Sequence, residues 1–198
     1  MTDRTRDTLS AFEQTGAYLQ GHFRLTSGLH SPEYLQCAKV LQYPDHAERF
    51  GQQIFQQFQG PPFEGLRPDF ICAPAMGGLI IGHEVARAFG VRFLFTERDA
   101  ESKMTLRRGF AVTPGERTII VEDVITTGGS TREVIELLRS MGVEVLAAAS
   151  IIDRSGGTAD VGVPRVALAT LTAVTYPPET CPLCAQGLPV VKPGSRPA

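Results

Sequence analysis

Residues 119–131 read IIVEDVITTGGST. Ile119, Ile120 and Val121 running into two carboxylates and then, past Val124 and Ile125, into Thr126, Thr127, Gly128 and Gly129 describe a buried strand that ends in a tight turn. A helix is predicted directly afterwards, over residues 131–141. Ser130 and Glu133 stand at capping-box spacing, Val134, Leu137, Leu138 and Met141 repeat as one apolar stripe, and Gly142 suits the C-terminal cap. In a parallel sheet, ligands bind beyond the carboxyl ends of the strands, where Glu122 and Asp123 stand.

The turn has a definite chemistry. Backbone N–H groups of residues 126–130, together with the first turn of the following helix, can surround an anion, and the helix dipole adds to the attraction. The chain contains neither G-x-x-x-x-G-K-S/T nor G-x-G-x-x-G, so triphosphate and dinucleotide sites lose their sequence support. What fits is a monophosphate with hydroxyl groups beside it, the hydroxyls donating to Glu122 and Asp123. Ribose 5-phosphate has that layout. The bland alternative is an acidic strand end followed by an ordinary helix cap.

Working outward, short apolar strands alternate with helices. Residues 70–73, 91–95, 118–121, 143–152 and 166–171 read as strands, and residues 79–89 as a helix, which is βαβ spacing and argues for a mostly parallel sheet. Upstream, a helical stretch reaches about Leu19, a glycine-containing connection covers residues 21–32, and a second helix from Pro44 carries Phe50, Ile54, Phe55 and Phe58 at spacings of three and four. Residues 96–108 are polar and basic and read as a long exposed loop. Residues from 177 onward are proline-rich and read as irregular.

The 198 residues suit one domain, and 42% hydrophobic against 20% charged residues suits a globular core. Nineteen Lys and Arg against 21 Asp and Glu leave a formal charge of −2, so no global field gathers nucleic acid or an anionic membrane. The first ten residues carry no apolar run of an export signal, and no apolar window approaches the roughly 20 residues that span a bilayer. A cytoplasmic protein is expected. Four cysteines are too few for a disulfide scaffold. Cys181 and Cys184 have the spacing of a zinc knuckle or a redox pair, but one pair supplies two ligands and no Cys or His near in sequence completes four, so they read as structural. His22, His30, His46 and His83 are scattered and also read as structural.

The 13 residues from Ile119 to Thr131 resemble the signature of the type I phosphoribosyltransferases: four hydrophobic residues, two acids and a Thr/Gly-rich loop. Thr126 stands where hypoxanthine-guanine enzymes of that family usually have Asp and orotate enzymes have Thr. The segment LTSGLHSPEYLQ at residues 25–36 and the Asp153-Arg154 pair after a strand resemble the orotate branch. The resemblance implies an α/β fold with a mostly parallel central sheet flanked by helices, a small N-terminal hood over residues 1–65, a core over 66–175, an irregular tail over 176–198, and a long flexible catalytic loop. It implies transfer of phosphoribosyl from phosphoribosyl pyrophosphate to orotate in pyrimidine synthesis, with Mg2+ carried by substrate rather than by direct protein ligands, in a homodimer whose loop acts in trans.

Roles follow from the same resemblance. Glu122, Asp123, Val124, Ile125, Thr126, Thr127, Gly128, Gly129 and Ser130 bind the phosphoribosyl donor with Arg98 and Lys103; Lys103, Asp123 and Glu122 serve catalysis. Ala75, Met76 and Gly77 form a pyrophosphate loop, which in the family often holds a cis non-proline peptide; a plain strand-to-helix turn is the other reading. Thr126 and Arg154 bind orotate, Arg154 with a planar fork matched to a carboxylate; surface pairing with Asp153 or Asp160 is its alternative. A solvated charge run is the alternative for the basic loop. The chain departs from the better-known pattern at Thr26, at Met76-Gly77, at Asp99 and in having no His after Lys103, so Arg107 and Arg108 are expected to replace lost pyrophosphate contacts. A purine or uracil enzyme, or a non-catalytic sensor of phosphoribosyl pyrophosphate, are the competing functions; no DNA-binding segment supports the sensor.

Overall fold

The computed structural model describes residues 3–25 and 27–193; Thr26, one of the departures noted above, lies outside them. Its centre is a six-stranded sheet built from β3 (Phe70–Pro74), β4 (Arg92–Arg98), β5 (Met104–Leu106), β6 (Arg117–Ile125), β7 (Glu144–Asp153) and β8 (Arg165–Thr170), in the order β5-β4-β3-β6-β7-β8. All neighbours are parallel except the β4–β5 edge pair. Both faces are covered, which is why β3 and β7 are apolar along nearly their whole length rather than alternating. On one face Ile71, Ile119 and Val121 pack with residues of α1 (Asp3–Gln14), α3 (Pro44–Gln57) and α4 (Gly78–Phe89). On the other, Phe70, Cys72 and Ile120 pack with Val134, Ile135 and Leu138 of α5 (Gly129–Ser140).

The strand order fixes where a ligand can sit. From β3 the chain moves outward through α4 to β4, then returns to the other side of β3 with β6 and moves outward the opposite way. The switch point therefore lies between β3 and β6, and the crevice beyond their carboxyl ends is the preferred binding position of such sheets. Close helix packing supports this frame: a Cβ at Gly82 would lie 2.5 Å from the Phe93 ring, and one at Gly51 2.7 Å from Glu84 Cβ.

Several expectations are corrected. The first helix stops at Gln14, because Gly16 at φ 61° ends it with Gly16 and Ala17 N–H groups donating back to Glu13 and Phe12 carbonyls. The expected connection is instead a hairpin of β1 (Tyr18–Arg24) and β2 (His30–Leu35), whose period of two is hidden by a register shift between Gln20 and Phe23. The long exposed loop of residues 96–108 is largely a second hairpin: Thr96, Glu97 and Arg98 pair with Leu106, Thr105 and Met104, and Met104 is buried. Asp99 closes its tip, accepting from the Glu101 and Lys103 N–H groups at 3.0 and 2.8 Å. The Ser130–Glu133 capping box does not form. The helix starts earlier, after Gly128 in the left-handed region, and Glu133 pairs with Arg98.

The tail holds more order than its prolines suggest, with a 3-10 turn at Pro178–Thr180, α6 at Pro182–Ala185 and backbone pairing of Val191 with β1. It also overturns the reading of Cys181 and Cys184 as cysteines without metal-ligating neighbours, because His22 and His30 meet them in space. Among the described residues no helix is long and apolar enough to cross a membrane.

Candidate active site

β6 carries its two acids to the switch point, and the alternation of side chains along a strand sends them to opposite faces. Glu122 goes under α5, where it is buried and accepts a hydrogen bond on Oε2 from the Thr131 hydroxyl. Burial pushes its carboxyl up to about 7, the Thr131 bond opposing and the nearby Asp123 and Glu133 adding to the rise. Asp123 goes to the α4 face. Its Oδ1 accepts from the Val124 N–H at 2.8 Å, and burial raises its pKa against the pull of backbone donors.

The loop after β3 lies against Asp123. A Cβ on Gly77 would stand 2.5 Å from Asp123 Oδ1 and 2.7 Å from its Oδ2, so only glycine lets the residue-75–77 loop and the acid approach this closely. The Ala75–Met76 peptide is cis and Met76 is 73% exposed, while the Ala75 N–H is tied to the Thr96 carbonyl at 2.8 Å. The residue-75–77 loop and the acidic strand end, separated by more than 40 residues, therefore share one wall.

The turn of residues 126–130 leads from β6 directly into α5. Thr126 and Thr127 are exposed; Gly128 sits at φ 75° with Val161 Cγ1 2.6 Å from where a Cβ would be, so no side chain fits there. The first N–H groups of α5 have no acceptor within the helix and remain available for an anion. Sequence reasoning passed over Arg132. Its guanidinium donates to the Thr127 carbonyl at 2.9 Å and to the Asp160 carbonyl, which braces the turn and places a cation beside it.

Arg154 follows β7, its N–H donating to the Ile125 carbonyl at 2.8 Å, so it stands next to the end of β6. Neither acid proposed as its surface partner takes it: Asp153 is held by Arg165 at 2.6 Å and by Ser155, and Asp160 accepts from the Gly162 N–H. Among the described residues Arg154 has no ion pair, and burial lowers its pKa. Tyr34, from β2, is half-buried within electrostatic reach of both Asp123 and Arg154; burial raises its phenol, Asp123 adds to that and Arg154 opposes it. Thus the residue-25–36 segment delivers a side chain to the same crevice, a second contribution that the sequence alone did not single out.

The loop cations divide into two sets. Arg98 is paired with Glu133 at 2.8 Å and Arg108 with Glu97 at 2.7 Å, while Lys103 and Arg107 have no ion pair among the described residues. Lys103 lines a groove of about 440 Å³ with Glu133, Glu136, Leu137 and Ser140, along the flank of α5 rather than at its N-terminal end.

The family model of the phosphoribosyl transferase domain matches residues 40–168. An orotate phosphoribosyltransferase from Pelotomaculum thermopropionicum is 54% identical over 97% of this chain and 98% of its own length. One from Desulforamulus reducens is 51% identical over 96% of both chains. Among solved structures, the orotate phosphoribosyltransferase from Aeropyrum pernix aligns with a TM-score of 0.66 at 27% identity, over 82% of this chain and 92% of that one. Identity of this extent, on a sheet whose switch point holds the acids and the anion turn together, makes the chain a member of the orotate phosphoribosyltransferase branch of the phosphoribosyl transferase domain family.

Proposed function

We propose that the protein transfers the 5-phosphoribosyl group of phosphoribosyl pyrophosphate to orotate, giving orotidine 5'-monophosphate and pyrophosphate in the synthesis of UMP. The observation that carries this is the convergence on one crevice of a turn suited to an anion, an acid touching the residue-75–77 loop, and an arginine without an ion pair among the described residues. The turn of residues 126–130 takes the 5-phosphate. Asp123 and the oxygen of Glu122 left free by Thr131 accept the ribose hydroxyls. Backbone groups of the residue-75–77 loop face the pyrophosphate, and Arg154, with Thr126, takes the orotate carboxylate.

In the reaction the bond from ribose C1 to the pyrophosphate oxygen breaks, the bond from C1 to the orotate ring nitrogen forms, and the proton on that nitrogen passes to water or to the released pyrophosphate. Positive charge grows on the ribose ring while negative charge grows on the leaving oxygens, so cations placed at those oxygens lower the barrier. Among the described residues, Lys103 and Arg107 are the loop cations without an ion pair. Because Lys103 lies along the flank of α5, it is well placed to serve a second subunit, which supports a homodimer with the loop acting in trans. Asp123, a hard oxygen donor open to the crevice, fits magnesium held through water, and the ion when bound supplies charge neutralisation at the pyrophosphate. A cytoplasmic location accords with free cysteines and the absence among the described residues of a membrane-crossing helix.

The test is direct: with phosphoribosyl pyrophosphate, Mg2+ and orotate, orotate absorbance falls and orotidine 5'-monophosphate appears, whereas adenine, guanine and uracil give no product. No turnover of orotate under any of these conditions overturns the assignment. Arg154→Ala is expected to raise the orotate KM roughly 30- to 150-fold, the value of about 2–3 kcal/mol for a charge-assisted contact, with the KM for phosphoribosyl pyrophosphate little changed. An unchanged orotate KM removes Arg154 from the base site.

A further inference from the structure

Away from the crevice, four side chains with the chemistry of metal ligands meet. One ligand atom each from His22, His30, Cys181 and Cys184 lie within 4.8 Å of one another, the first three residues buried and Cys184 exposed. The pairs come from opposite ends of the chain: the histidines from the β1–β2 hairpin, the cysteines from the ends of α6. We propose that these four residues form a tetrahedral zinc site that fastens the C-terminal segment to the N-terminal hairpin.

The distances suit that ion. With Zn–S of about 2.3 Å and Zn–N of about 2.1 Å, the sulfur-to-nitrogen edges of a tetrahedron are about 3.6 Å. Cys181 Sγ stands 3.6 Å from His22 Nε2, Cys184 Sγ 3.7 Å from the same nitrogen, and Cys184 Sγ 3.3 Å from His30 Nδ1. The two ring nitrogens are 2.8 Å apart, shorter than the tetrahedral edge, and a cation between them requires only a small opening of that contact. The outer groups are in place as well. His22 Nδ1 lies 2.8 Å from the Leu188 carbonyl, and an N–H donated there leaves Nε2 with its lone pair facing the cysteines, the usual arrangement for a ligating imidazole.

Local structure explains why these residues converge. The register shift of β1 falls between Gln20 and Phe23, so His22 occupies a bulge, a device that re-aims a side chain within a strand. His22 and His30 rings consequently meet edge to face at 4.7 Å. Cys181 precedes α6 and Cys184 lies within it, one helical turn apart. Both ends of the segment are sewn beside the ligands: His30 exchanges backbone hydrogen bonds with Tyr176, and the Val191 N–H donates to the His22 carbonyl.

An energetic observation points the same way. Across residues 177–193 Cys181 is the one buried side chain among the described residues, while Leu188, Val190 and Val191 are 43–51% exposed. Hydrophobic burial within this chain therefore cannot hold the segment, and a 4-residue helix has no stability of its own. A structural metal supplies that stabilisation in small, poorly buried elements.

The experiment uses the tag-free full-length chain, purified reduced and dialysed. Elemental analysis is expected to find one zinc per chain. Replacement by CoCl2 should give a thiolate-to-cobalt charge-transfer band and the intense visible bands of tetrahedral cobalt. Cys184→Ser, at an exposed position that leaves the core untouched, should weaken zinc retention at least about 100-fold, within the range for loss of a ligand or its support. Zinc removal should raise hydrogen exchange in residues 177–191 while the central sheet stays protected. A reduced protein that takes up neither ZnCl2 nor CoCl2 overturns the proposal. So does weak, octahedral cobalt absorption, or isolation of Cys181 and Cys184 as a disulfide that forms without loss of metal.

Discussion

Lys103→Ala is expected to lower kcat by roughly 100- to 1000-fold while leaving the orotate KM nearly unchanged, because its contact strengthens only as charge builds on the departing pyrophosphate. Lys103 sits at the tip of the β4–β5 hairpin, has no ion pair among the described residues, and lines a groove beside α5 away from the anion turn. On the proposed reading, a side chain so placed serves the site of a second subunit. Mixing Lys103→Ala with Arg154→Ala separates the two geometries. With orotate held near the parental KM, where both single variants are nearly silent, a loop acting in trans gives each hybrid dimer one site with both residues intact, and subunit exchange restores roughly a quarter of parental turnover. No restoration in a mixture shown to exchange subunits means the loop serves its own chain. An unchanged kcat in the single variant removes Lys103 from the mechanism.

The residues that proved legible are those whose local pattern repeats a physical rule. Residues 119–131 announce a buried strand, an acidic end and a glycine turn into a helix, because burial, strand termination and glycine geometry are all local properties. The close contact of Gly77 with Asp123 was not legible, since it depends on β3 and β6 being neighbours at the switch point. The opposite facing of Glu122 and Asp123 does follow from a period of two, once the strand is known to continue to Ile125 rather than end at Val121. Two hairpins escaped for different reasons. The bulge in β1 breaks alternation, and β5 joins the sheet edge through backbone bonds with only Met104 to bury. The Cys–His cluster escaped because its halves lie more than 150 residues apart, beyond the reach of any spacing rule.

Glu122→Gln should make the protein more stable at pH 8 and less active above about pH 7, where the parent side chain is a carboxylate. Burial raises the Glu122 carboxyl from an ordinary 4.5 to about 7 in the folded state. Between those values the folded chain holds a proton that the unfolded chain has released, so stability falls as pH rises through this window. Below about pH 4.5 both states are protonated and the penalty vanishes; above about pH 7 it is complete, of the order of 3 kcal/mol. Glutamine carries no charge, keeps an oxygen to accept from the Thr131 hydroxyl, and removes the penalty. The variant is thus expected to gain about 1–3 kcal/mol at pH 8, seen as a Tm higher by several degrees, and to match the parent near pH 4.5. The same change replaces the oxygen left to a ribose hydroxyl with a donor, and should lower kcat/KM for phosphoribosyl pyrophosphate about 10- to 100-fold, the value of a lost hydrogen bond to a charged group. Chemical denaturation across pH 4.5–8 decides the first half: parallel stability curves for parent and variant mean that Glu122 ionises without strain. Unchanged kcat/KM decides the second, since a carboxylate that contacts the ribose cannot be neutralised without loss.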